Sequence, residues 1–140
     1  SIRPNSNCAG AKSCFAIINK LVEQDFAPAQ FELGLIYQYP FIKPWDEKEA
    51  EKLWIRSAEQ GFTPAKRELG KMFQKDGWLA DDHRLQEIGL MWSVIAMLRG
   101  DKSAEFDVSK GEKNLSNESI SRVEILVKDC IEKKFVGCEN

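Results

Sequence analysis

A chain of 140 residues with 43% hydrophobic and 30% charged side chains is long enough to close a core of its own without a metal to hold it. Its net charge of -2 and the lack of any Lys/Arg block argue against nucleic acid as a partner. Its longest apolar stretch, Ile88 to Leu98, is too short for a membrane span and carries Gly89 and Ser93.

The opening Ser1-Ile2-Arg3-Pro4-Asn5 has no apolar run of the kind that forms a signal peptide. Cys8 and Cys14 follow it, and Cys130 and Cys138 stand at the other end, with none between. An even number of cysteines near the two termini predicts disulfides, with Cys8–Cys14 and Cys130–Cys138 as local pairs among three possible connectivities. A zinc site would want a C-x2-C spacing that neither pair has. Disulfides persist in oxidising compartments, so a periplasmic or secreted chain is expected, its export signal already removed.

Taken in order, the hydrophobic periodicity predicts helices over about 11–24, 28–38, 46–60, 64–75 and 84–99, a short piece near 101–108, and a last helix over 116–134. Loops are expected near 39–45, 76–82 and 109–115. Ala29, Leu33, Gly34 and Tyr37 form one apolar stripe; Ala50, Leu53, Trp54, Ser57 and Ala58 form another at helical spacing. Asp46 with Glu49 has the form of a capping box, and Thr63 before Pro64 reads as a cap. Ser116 is placed to cap the last helix, with Leu115 and Ile120 as a hydrophobic staple.

The strongest signal is an internal repeat. Glu23 to Gly34 and Glu59 to Gly70 align at an offset of 36, and eight of the twelve positions are identical. A weaker third copy follows at an offset of 39: Gly100 to Ala104 matches Gly61 to Ala65, and Trp92 to Met97 falls over Leu53 to Ala58. Small residues recur at Ala29, Gly34, Ala58, Ala65, Gly70 and Ala104, where closely paired helices need short side chains. The repeat predicts units of about 28–63 and 64–103 between cap helices 11–24 and 116–134, in a single domain of residues 1–140.

These residues resemble the Sel-one-like repeats, relatives of the tetratricopeptide repeats. Ala29, Leu33, Gly34 and Tyr37 fit the first helix of that pattern. Asp46, Ala50, Leu53, Ser57, Ala58 and Gly61 fit the second. Ala65, Leu69, Gly70 and Phe73 begin the next unit, and Trp92, Ala96, Gly100 and Ala104 fit again. The usual loop glycines are replaced by Tyr39-Pro40-Phe41, Asp25 stands where Gly61 and Gly100 stand, and Trp54 is one place beyond the usual tryptophan. The resemblance implies an all-α fold, an α/α solenoid of about two helical hairpins with flanking caps. It also implies an adaptor-like role in binding other proteins.

Nothing in the sequence assembles a catalytic set, and no cofactor or metal is expected. The single histidine, His83, lies in Asp81-Asp82-His83-Arg84 with Glu87 four residues on, which reads as a charged helix start. There is no G-x-S-x-G, no P-loop, no G-x-G-x-x-G and no C-x-x-C. Glu47, Glu49, Glu51 and Glu59 read as a solvated helix face interleaved with Lys48 and Lys52. Asn114-Leu115-Ser116 and Asn117-Glu118-Ser119 have the glycosylation form, but Ser116 is better used as a cap. Tyr37 is expected in the core and Trp45 beneath a loop. Tyr39, Phe41 and Trp78, in or beside the loops, are the candidates for partner anchors.

The expected function is therefore a non-enzymatic, protein-binding one. Small exported members of the family include immunity proteins, so the resemblance implies a periplasmic inhibitor of a secreted antibacterial toxin, such as a type VI phospholipase effector. The alternative is an adaptor in an envelope or export complex. An enzyme is the third and least supported reading.

Overall fold

The computed structural model describes residues 11–39 and 46–140, and every regular element among them is a helix. The order is α1 (Ala11–Glu23), α2 (Ala27–Gln38), α3 (Glu47–Glu59), α4 (Thr63–Leu79), α5 (His83–Leu98), α6 (Ala104–Lys113) and α7 (Asn117–Glu132). The fold is all-α and is built from helical hairpins in the manner of an α/α repeat. The chain divides into two compact units, Ser1–Phe62 and Thr63–Asn140, and the division falls where the sequence repeat turns over.

In the first unit α2 packs between α1 and α3. Ile18, Leu33, Ile36 and Leu53 form its core, with Phe15, Val22 and the expected core residue Tyr37 packed against them. The whole second stripe (Ala50, Leu53, Trp54, Ser57 and Ala58) is buried, as its spacing requires. Asp46 caps α3: its carboxylate accepts from Glu49 N at 3.0 Å. Its own N–H donates to Tyr37 O at 3.0 Å, where a full capping box would have used the Glu49 side chain.

In the second unit α5 is the central helix and packs against α4, α6 and α7. That explains the longest apolar stretch of the sequence, because a helix surrounded on several sides has no polar face to keep. Ile88, Leu90, Met91, Trp92 and Ile95 are all buried, with Leu69, Met72 and Phe73 from α4 and Val123 and Val127 from α7. Asp82 caps α5 through Leu85 N at 3.1 Å, and Ser116 caps α7 through Ser119 N at 3.2 Å. Arg67 of α4 pairs with Asp107 of α6 at 3.1 Å.

Three boundaries differ from the sequence reading. Helix α4 begins at Thr63 itself, so Thr63 is its first helical residue instead of its cap. It also runs to Leu79, through Gly77 and into the loop expected near 76–82. A Cβ at Gly77 would lie 2.6 Å from Gln86 N and 2.8 Å from Asp82 O, so the glycine is there to let α4 meet the start of α5. Helix α6 reaches Lys113 and includes the buried Gly111, where a Cβ would meet the end of the Gln74 side chain at 2.7 Å.

Five of the seven helix ends among the described residues share one device. Asp25, Gly61, Asp81, Gly100 and Lys134 all have positive φ, between 53° and 94°. At each, the next residue's N–H reaches back five residues: Phe26 to Leu21 O, Phe62 to Ser57 O, Asp82 to Gly77 O, Asp101 to Ala96 O and Phe135 to Cys130 O. This is the Schellman closure, which satisfies the free carbonyls of a helix end. Asp25 is thus no defect of the first unit. It takes the left-handed conformation that glycine takes at 61 and 100, and its carboxylate is held by Gln30 at 2.6 Å and by Arg56 at 2.9 Å. Those two hydrogen bonds, Arg56's first, hold its carboxyl below the ordinary carboxylate range.

Asp81 has the same strain at φ 53° and no such bonds. Asp81→Gly is therefore expected to raise stability by about 0.5–1 kcal/mol, read as a higher denaturation midpoint at unchanged slope. A lower midpoint would mean that the Asp81 side chain holds the turn in a way the backbone geometry does not require.

Candidate functional site

Two of the three anchor candidates are described, and both are exposed. Tyr39 caps the C-terminus of α2 in an extended conformation, donates its N–H to Leu35 O at 2.9 Å, and is 51% exposed. Trp78 is 67% exposed. It stands in the last turn of α4, not in the loop expected at 76–82, because Gly77 does not stop the helix. Leu79 beside it is equally exposed, which gives the second unit an adjacent aromatic and aliphatic pair at one helix end. Tyr39 belongs to the first unit and Trp78 to the second. Phe41 and Trp45 lie outside the described residues.

The pair at the end of α4 is held on a rigid base. The turn that follows is closed by Asp82 N to Gly77 O at 2.8 Å, and the Gln86 amide donates to the same carbonyl at 3.2 Å. The backbone that carries Trp78 is thus already ordered before a partner covers the side chain, which lowers the cost of binding there.

The residues weighed for catalysis are not brought together. His83 is exposed on the first turn of α5. Glu87, one turn on, is turned inward, and its side chain is only 4% exposed. There it accepts from Arg122 Nη2 at 2.6 Å and Arg122 Nε at 3.0 Å, tying α5 to α7. Ser119 Oγ accepts from the same guanidinium at 2.8 Å. Glu47, Glu49, Glu51 and Glu59 are half-buried on α3, less solvated than their spacing suggests, with Lys52 3.5 Å from Glu49. Among the described residues no group of three or more His, Cys, Asp or Glu side chains is placed to hold a metal ion.

Burial pulls the Glu87 carboxyl up, but the hydrogen bonds from Arg122 and Ser119 and the Arg122 charge outweigh it, and the net direction is down. A carboxyl lowered in the fold contributes stability above its unfolded value of about 4.3 and loses it as pH falls through the lowered one. Arg122→Ala removes two of the lowering influences and leaves burial, the largest single one, opposed only by Ser119 and the Arg84 charge, so the carboxyl is expected to rise. The Tm gap between the natural chain and Arg122→Ala should then narrow as pH is lowered from neutrality to about 4, where the stranded carboxylate takes up a proton. A gap that does not change with pH would show that Glu87 carries no charge in this pair.

Cys130, in the last turn of α7, is joined by a disulfide to Cys138, eight residues on, with a Cα–Cα distance of 5.2 Å. Cys14 is buried and disulfide-bonded, and Cys8 lies outside the described residues. Among the described residues no helix is long and apolar enough to cross a membrane. Asn114 ends α6 in an exposed turn, while Ser119 of the second glycosylation-like triplet is buried and committed to Arg122.

The sequence reading missed other exposed apolar side chains, including Leu98, Phe106 and Ile125 at 60% exposure or more. It also missed a buried lysine, Lys66, on the first turn of α4. Exposure of a single apolar residue on an amphipathic helix leaves little trace in its spacing. Lys66 could have been found only by setting the repeats side by side, where it falls on Gln30. No family model and no curated protein matches the chain.

Proposed function

We propose that this chain is a protein-binding module of the Sel-one-like repeat type that carries out no catalysis. In its most specific form the proposal is a periplasmic immunity protein that binds and inhibits a secreted antibacterial toxin, such as a phospholipase effector of type VI secretion. The observation that carries the binding role is the Trp78–Leu79 pair, each 67% exposed at the end of a helix held by buried hydrogen bonds. An exposed aromatic that does not contribute to the core is costly to keep in water and is the residue type that dominates interface energetics. The commitment of Glu87 to Arg122 fits this reading, because the carboxylate one helical turn on from His83 is held in an ion pair between helices. The disulfide between Cys130 and Cys138 supports an oxidising compartment.

Alanine substitution separates anchor from bystander. Trp78→Ala is expected to weaken binding to the captured partner by about tenfold or more while leaving the unfolding midpoint nearly unchanged. Tyr39→Ala is the same test on the first unit. Unchanged affinity after substitution of Tyr39, Phe41 and Trp78 in turn would end the anchor assignment.

A further inference from the structure

The two repeats treat one position in opposite ways. In the first, the buried Gln30 donates to the Asp25 carboxylate at 2.6 Å and accepts from the Gln60 amide at 2.9 Å. In the second, the offsets of the repeat put Lys66 at the place of Gln30, Arg99 at the place of Gln60 and Gly61 at the place of Asp25. Two amides have become two cations, and the carboxylate that accepted from the first of them has become a hydrogen.

Lys66 is 1% exposed, and its ammonium lies 3.2 Å from the centroid of the Phe135 ring. The Arg99 guanidinium lies 5.2 Å from the same centroid, on the exposed C-cap of α5. Among the described residues neither cation is paired with a carboxylate. The ring offsets only part of the cost of a buried ammonium. Burial, and then the charge of Arg99, pull Lys66 down to about 8.

We propose that Lys66 and Arg99, seated on the Phe135 ring, form a carboxylate-binding site, and that the carboxylate is an acidic side chain of the protein this chain binds. The source of the carboxylate rests on the protein-binding reading; the site does not. Arg99 is open to solvent and offers a planar fork that fits a carboxylate. Lys66 supplies the second charge when its long stem turns the ammonium off the ring. A single carboxylate suits the site because, in the first repeat, the side chain at the place of Lys66, Gln30, holds one, that of Asp25.

The test uses the full, isotopically labelled chain and two capped tripeptides, one with a central aspartate and one with a central asparagine. The aspartate peptide should move the Lys66 ammonium and Arg99 Nε–H resonances with saturation, and the asparagine peptide should not. Lys66→Met and Arg99→Gln should each weaken the response by about tenfold or more. Lys66→Met keeps an unbranched stem and drops the buried charge, so it should fold with an equal or higher Tm. Equal response to both peptides, or none to either, would overturn the site. Saturation by inorganic phosphate without saturation by the aspartate peptide would reassign it to phosphoryl groups and overturn the carboxylate. A native partner that binds Lys66→Met as tightly as the natural chain would overturn the assignment of the carboxylate to that partner, even where the peptide binds. Absence of any native partner would end the protein-binding reading and leave the peptide result standing.

Discussion

Gly34→Ala and Trp54→Ala are each expected to destabilise the first unit strongly, and the double variant should cost much less than their sum. Trp54 is 1% exposed, and its indole N–H donates to Phe31 O at 3.1 Å. Truncating it leaves a large cavity, at about 3–5 kcal/mol. A Cβ at Gly34 would stand 2.3 Å from Trp54 Nε1 and 2.6 Å from its Cδ1. The ring must then move and the bond to Phe31 is lost, at about 2–3 kcal/mol after the helix-propensity gain of alanine over glycine. With both changes the new methyl enters space the indole has vacated. The coupling should therefore be favourable by about 1–3 kcal/mol, measured by denaturant unfolding of the four chains of a double-mutant cycle. Hydrogen exchange should place the loss in α2 and α3. Additive costs, within about 0.5 kcal/mol, would mean that the glycine is not there for the tryptophan.

Gly89→Ala should be the corresponding lesion in the second unit, at about 3 kcal/mol. Its Cβ would stand 2.5 Å from Gln74 N and 2.9 Å from Gly70 O. Both are backbone atoms, so no side chain can swing aside, and α4 and α5 must separate. Separation would also stretch the Gln74–Ser93 hydrogen bond, now 2.9 Å. The sign is what makes the test sharp. A glycine on a solvent-facing helix surface gains about 1 kcal/mol on becoming alanine. A higher unfolding midpoint for Gly89→Ala would show that the two helices do not meet as closely as these distances require.

Much of this fold is legible in the sequence, and the reason is local. The stripe from Ala50 to Ala58 repeats at helical spacing, so its burial follows from periodicity alone. The caps at Asp46 and Ser116 are also local, since each bonds a backbone N–H three residues on. What the sequence hides is contact between residues far apart in it. Gly77 and Gly111 fall where loops are expected, near 76–82 and 109–115, because the residues they meet, Gln86 and Gln74, sit on other helices. Trp78, expected in or beside a loop, stands instead in the last turn of α4, where it is 67% exposed. Asp25 reads as a missing glycine because a left-handed residue carries no mark other than its type. Arg122 could not be assigned to Glu87, thirty-five residues away, from any spacing rule. Lys66 is the least legible of all, since a lysine on a first helical turn is ordinarily solvated.

The central claim is that this chain works by binding a protein through exposed anchors on a helical scaffold. Affinity capture from the native host under non-reducing conditions, with the natural chain and Trp78→Ala side by side, tests it most directly. One stoichiometric partner is expected on the natural chain, depleted on Trp78→Ala, with a toxic activity that falls when the natural chain is added. Several weakly held envelope proteins, retained equally by both chains, would contradict the inhibitor reading and favour an adaptor; no stable partner on either chain would contradict the binding role itself.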